Sequence, residues 1–139
     1  MKVLVDTSVW SLAFRRKRNT LHKYEINILN TLVELIQEIR VVMIGVIRQE
    51  LLSGITDTAQ FAELREKLRA FEDFSLDTED YEVAAQFYNL CRKQGIQGSA
   101  IDFLICAAAS NHDFALLTTD KDFERYAPHT GIKLFMVSK

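Results

Sequence analysis

Four short apolar runs, KVLV (Lys2–Val5), RVVMIG (Arg40–Gly45), FALLTT (Phe114–Thr119) and IKLFMV (Ile132–Val137), are set apart by stretches with helical spacing. Each run is too short for a packed helix and suits a buried strand. From Tyr24 to Ile39 the residues Ile28, Leu29, Leu32, Val33, Leu35, Ile36 and Ile39 form a broad helical stripe. VIRQELLSG predicts a helix ended by Gly54, and Phe61, Leu64, Leu68 and Phe71 mark another. The three- and four-residue spacing returns in Val83, Ala84, Phe87, Leu90 and Cys91, with Gly95 beyond its end. Ser99 suits the N-cap of the alanine-rich helix that follows, and a short helix around KDFERY separates the last two runs. Parallel strands need crossover connections, and here every gap between strands holds a helix. The pattern predicts an α/β fold, a three-layer α/β/α sandwich with a mainly parallel central sheet.

With one proline and five glycines in 139 residues, no linker interrupts the chain, so one domain over residues 1–139 is expected. The apolar run in MKVLVDTSVW is too short for an export signal and holds an aspartate. Nowhere do eighteen apolar residues run without a charge. A cytoplasmic chain that does not span a membrane is therefore expected, with Cys91 and Cys106 as reduced core residues on apolar helical faces. The net charge of -2 advertises no nucleic-acid partner. RRKR, Arg15 to Arg18, is a local exception that reads either as a solvated loop or as a basic patch.

The acids are less ordinary. Asp6 ends the first apolar run, Asp120 directly follows FALLTT, and Glu50 lies about a turn into the helix after the second run. Asp102 interrupts the most apolar helix in its first turn. Ligand sites in α/β sandwiches form at the carboxyl ends of the strands, where all four acids can converge. Gathered there they repel one another and raise each other's pKa unless a cation compensates. Each acid also has a local explanation: Asp6 and Asp120 as helix caps, Glu50 as a solvated charge, Asp102 as the partner of Ser99 in a capping box. Chance capping does not explain acids at the expected sheet edge in four separate segments.

The ordered set VDTSVW (Val5–Trp10), VIRQELLSG (Val46–Gly54), QGIQGSAIDFLICAAA (Gln94–Ala109) and LLTTDKDF (Leu116–Phe123) resembles the PIN-domain ribonucleases, particularly VapC-type toxins. The length of the chain and a helical hairpin between Glu50 and Gly95 agree with that family. The resemblance implies that Asp6, Glu50, Asp102 and Asp120 are the family's acidic quartet. It makes Ser8 the small polar residue beside the first aspartate and Thr118 the hydroxyl before the last. Two departures stand out: Cys106 where the family more often has alanine, and Asp122 as a competitor to Asp120. Asp120 is preferred because it directly follows the strand, which leaves Asp122 a supporting role.

An acidic set without nearby cysteine or histidine suits Mg²⁺ or Mn²⁺ better than zinc. Such an ion activates water and offsets charge developing on a phosphate. The resemblance implies RNA as substrate, with Arg15, Arg16, Lys17 and Arg18 as backbone contacts. It also implies homodimerisation and a VapB-like antitoxin whose arginine reaches the carboxylates. Two other readings compete. A phosphotransfer protein of similar layering is one, although a haloacid-dehalogenase-like phosphatase wants Asp-x-Asp where this chain has Asp6-Thr7-Ser8, and a receiver domain wants a lysine placed unlike Lys121. The other is a metal-binding interaction module that does not cut.

Overall fold

The computed structural model describes residues 1–137. The chain runs β1 (Val3–Val5), α1 (Thr7–Phe14), α2 (Lys23–Gln37), β2 (Val41–Val42), α3 (Gly45–Leu52), α4 (Thr58–Leu68), α5 (Thr78–Lys93), α6 (Ala100–Asn111), β3 (Ala115–Leu117), α7 (Asp122–Thr130) and β4 (Lys133–Leu134). Every run expected to be a strand forms one, and each strand is shorter than its run. The order in the sheet is β2-β1-β3-β4 and every pairing is parallel. Val3 faces Val41 on one side and Ala115 on the other.

β1 and β3 are buried along their whole length, which is why they show no apolar–polar alternation. Helices α1 to α4 pack among themselves and α5 to α7 pack among themselves, which gives the expected three-layer sandwich. The chain leaves β1 toward β2 on one side and later returns to β3 on the other. β1 and β3 therefore flank the point where the winding reverses, the usual place for a ligand crevice.

Two expectations need correction. The stripe on α2 buries Ile28, Leu29, Leu32 and Leu35, but Val33 and Ile36 face outward and Ile39 is 79% exposed. Ile39 lies past the helix end at φ 56°, a left-handed conformation that turns its side chain away from the core. Nor do the helices between Glu50 and Gly95 form a hairpin with each other: α4 packs on α3, while α5 packs chiefly on α6.

In α6 the small residues Cys106, Ala107, Ala108 and Ala109 are buried beside Phe103 and Ile105. Both cysteines are free and buried, as expected. Asp80, near the start of α5, is 1% exposed. It accepts from Asn111 Nδ2 at 2.9 Å, from the Asp77 N–H at 3.0 Å and from His112 Nε2 at 2.9 and 3.0 Å. This cluster ties the start of α5 to the end of α6. Among the described residues no helix is long and apolar enough to cross a membrane.

Candidate active site

Asp6 occupies the N-cap position of α1, yet its side chain makes no capping bond. Its Oδ2 instead accepts from Ser8 Oγ and from Thr118 Oγ1, both at 2.8 Å. The second bond spans 112 positions of sequence and crosses from the end of β1 to the end of β3. Ser8 Oγ also accepts the Thr119 N–H at 3.0 Å, and Thr118 Oγ1 accepts the Asp120 N–H at 3.0 Å. Two hydroxyls thus stitch the carboxyl edges of the two central strands around one carboxylate. Asp6 is only 6% exposed. Burial raises its pKa above the ordinary 3.8, against the lowering effect of the Thr118 and Ser8 hydroxyls.

The other three acids are held by different partners. Thr7, next to Asp6, donates to Glu50 Oε1 at 2.7 Å, so the start of α1 holds an acid from α3. Asp102 sits in the first turn of α6, whose N-cap Ser99 accepts the Asp102 N–H at 3.1 Å. Its Oδ2 accepts from the Tyr126 hydroxyl at 2.9 Å. β3 ends at Leu117, and Asp120 leaves the edge three residues later, with Oδ1 accepting the Asp122 N–H at 2.9 Å. The capping explanation therefore holds in part for Asp120 and fails for Asp6.

Burial, then the charge of Asp102 and, more weakly, those of Cys91 and Asp6, pushes the Cys106 thiol up, so it stays protonated. The Tyr126 phenol is likewise pushed up by burial, by its bond to Asp102 and by the charges of Asp102, Asp122 and Asp120. Asp122 itself is exposed at the first position of α7 and stands 3.7 Å from Arg125. Arg15, Arg16, Lys17 and Arg18 are all exposed, and Arg16 is engaged with Glu25 at 3.3 Å. Among the described residues no three acids, histidines or thiols are close enough to form a ready-made metal cage. Mg²⁺ takes only one or two carboxylates directly and keeps several waters, so a hard cation does not require such a cage.

Thr7 and Tyr126 went unnoticed in the sequence. Tyr126 lies there within a short helix, and no local spacing connects it with a carboxylate 24 positions away.

A family model described as the PIN domain matches residues 3–128. The chain belongs to the PIN-domain family. Several solved structures share its fold. VapBC2 from Rickettsia felis, bound to a DNA fragment from its promoter, superposes with a TM-score of 0.76 at 16% identity, over 97% of this chain and 98% of that one. FitAcB from Neisseria gonorrhoeae gives 0.75 at 22% identity, over 96% of both chains. VapBC-5 from Mycobacterium tuberculosis, a member of the VapBC family of toxin-antitoxin systems, gives 0.69 at 19% identity, over 99% of this chain and all of that one. No curated sequence matches significantly. At such identities the likeness is one of fold, while PIN membership rests on the family match.

Proposed function

We propose that this PIN-domain chain is a Mg²⁺- or Mn²⁺-dependent endoribonuclease, the toxin of a VapBC-type toxin–antitoxin pair, acting as one domain across residues 1–139. The observation that carries this reading is Asp6: a buried, hydroxyl-bound carboxylate at the winding reversal of an all-parallel sheet, with Glu50 bonded to Thr7 beside it and the Asp120 N–H bonded to the Thr118 hydroxyl that also holds it. Burial of the Asp6 carboxylate disfavours its charged form despite the hydrogen bonds it accepts, and such a cost recurs where a site needs the charge. A bound divalent ion supplies water activation and charge neutralisation at the scissile phosphate.

The chain's own groups do the rest. Asp6, Glu50, Asp102 and Asp120 would hold the ion, directly or through water, and Ser8 and Thr118 keep Asp6 oriented. Asp122 supports from the start of α7. Arg15, Arg16, Lys17 and Arg18 lie exposed on the loop after α1 and steer the RNA backbone. The partners in this reading are RNA, a VapB-like antitoxin that places an arginine against the carboxylates, and a second copy of the chain, all in the cytoplasm.

The test is RNA cleavage by purified protein with Mg²⁺ or Mn²⁺, beside Asp6→Asn and Asp102→Asn. Both variants should be inactive yet folded, and Mn²⁺ should raise the melting temperature of wild type but scarcely that of Asp6→Asn. A native-state ion contributes about 2.7 kcal/mol at a hundred times its Kd. Cleavage by Asp102→Asn at the wild-type rate would sink the assignment. Sequencing the cut ends then identifies the RNA.

A further inference from the structure

Tyr126 is wholly excluded from solvent, at 0% exposure, and among the described residues only Trp10 is a larger fully buried side chain. Its ring packs between Phe103, 4.9 Å away, and Phe123, 5.3 Å away, so its place is set by contacts that do not involve the hydroxyl. A buried phenol needs a hydrogen-bond partner. This one ends on Asp102 Oδ2 at 2.9 Å, while Oδ1 takes no hydrogen bond from the described residues.

Gly98 shows that the arrangement is built for that contact. A Cβ at position 98 would lie 2.5 Å from the Tyr126 hydroxyl oxygen and 2.9 Å from the Phe103 ring. The backbone of Gly98 is not left-handed, so conformation does not demand glycine there. What position 98 supplies is room. Ser99, next in the chain, then caps α6 through the Asp102 N–H. The backbone and one oxygen of Asp102 are thus held from two directions.

We infer that Tyr126 is a positioning residue for Asp102: its buried hydroxyl fixes one carboxylate oxygen and leaves the other for a divalent cation. The inference rests on the nuclease reading of this edge. Outer partners of this kind keep a ligating carboxylate in one orientation, so ligation costs less ordering, and removing them typically weakens metal binding by about 10–100-fold.

Mn²⁺ binding by calorimetry tests it on wild type, Tyr126→Phe, Gly98→Ala and Asp102→Asn, with RNA cleavage measured across Mn²⁺ concentrations. Tyr126→Phe keeps the ring contacts and should bind Mn²⁺ about tenfold more weakly or worse. Excess Mn²⁺ should then restore most of its cleavage. Gly98→Ala keeps the hydroxyl but displaces it, and a similar loss is expected. If Asp102→Asn loses Mn²⁺ binding while Tyr126→Phe binds as wild type does, the inference is overturned and the nuclease reading stands. If Asp102→Asn itself binds Mn²⁺ normally, the nuclease reading fails and takes the inference with it. A Tyr126→Phe chain with no cooperative folding transition also counts against it, by assigning the phenol to stability; unchanged binding in Gly98→Ala does so by showing the hydroxyl need not sit there.

Discussion

Replacing Thr118 with valine keeps the shape of the side chain and removes one hydroxyl that serves both central strands. Its Oγ1 donates to Asp6 Oδ2 at 2.8 Å and accepts the Asp120 N–H at 3.0 Å. A hydrogen bond to a charged group is worth about 1.5–3 kcal/mol, and the second, partly exposed bond adds about 0.5–1 kcal/mol because water replaces some of it. Ser8 still donates to Asp6, so the carboxylate is not orphaned. The expected loss at neutral pH is about 2–4 kcal/mol, a large share of a small domain's stability.

The loss should also depend on pH. Burial lifts Asp6 above 3.8, so the folded chain holds that proton more tightly than the unfolded chain does. Stability is therefore lost as pH rises from 3.8 through the folded value and regained on acidification. Valine removes one of the contacts that lower the folded value, which extends that window upward. Urea unfolding followed by circular dichroism at neutral and acid pH, extrapolated linearly, measures both effects. The deficit should shrink on acidification toward about 1 kcal/mol, the size of an uncharged bond. A deficit below about 1 kcal/mol at both pH values, or the same deficit at both, would refute the argument that Thr118 stabilises a buried charge.

Two further predictions separate stability from activity. Asp80→Ala deprives Asn111, His112 and the Asp77 N–H of their acceptor and should cost about 3–5 kcal/mol in the same urea assay, with cleavage per folded molecule unchanged. Burial works against the Asp80 charge, but bonds from Asn111, the Asp77 backbone and His112 hold its carboxyl below 3.8. That stability is present above 3.8 and lost as pH falls through the folded value. Asp120→Asn should abolish cleavage with little change in the melt, whereas Asp122→Asn should cost about 0.3–1 kcal/mol at the start of α7 and leave cleavage largely intact. The opposite pattern in parallel assays would transfer the fourth acid's role to Asp122.

The amino-acid sequence by itself determined the alternation of strand and helix, because strand-length apolar runs and three- to four-residue spacing are local signals. The parallel sheet followed, since each pair of strands was already separated by a helical crossover. The positions of Asp6, Glu50, Asp102 and Asp120 at segment ends were legible for the same reason. Tertiary structure alone decided what those acids touch. Asp6 looks like a helix cap from its neighbours, and only the docking of β3 beside β1 brings Thr118 to its carboxylate and turns it away from capping. Thr7 with Glu50, Tyr126 with Asp102 and Asp80 with His112 likewise depend on how separate elements pack, and residue spacing carries no record of that. Periodicity marked Val33, Ile36 and Ile39 as apolar but was silent on what would cover them, and they face outward. A hydrophobic pattern reports which way a helix prefers to turn; a hydrogen bond between distant side chains exists only once strand register and helix packing have set both ends within about 3 Å.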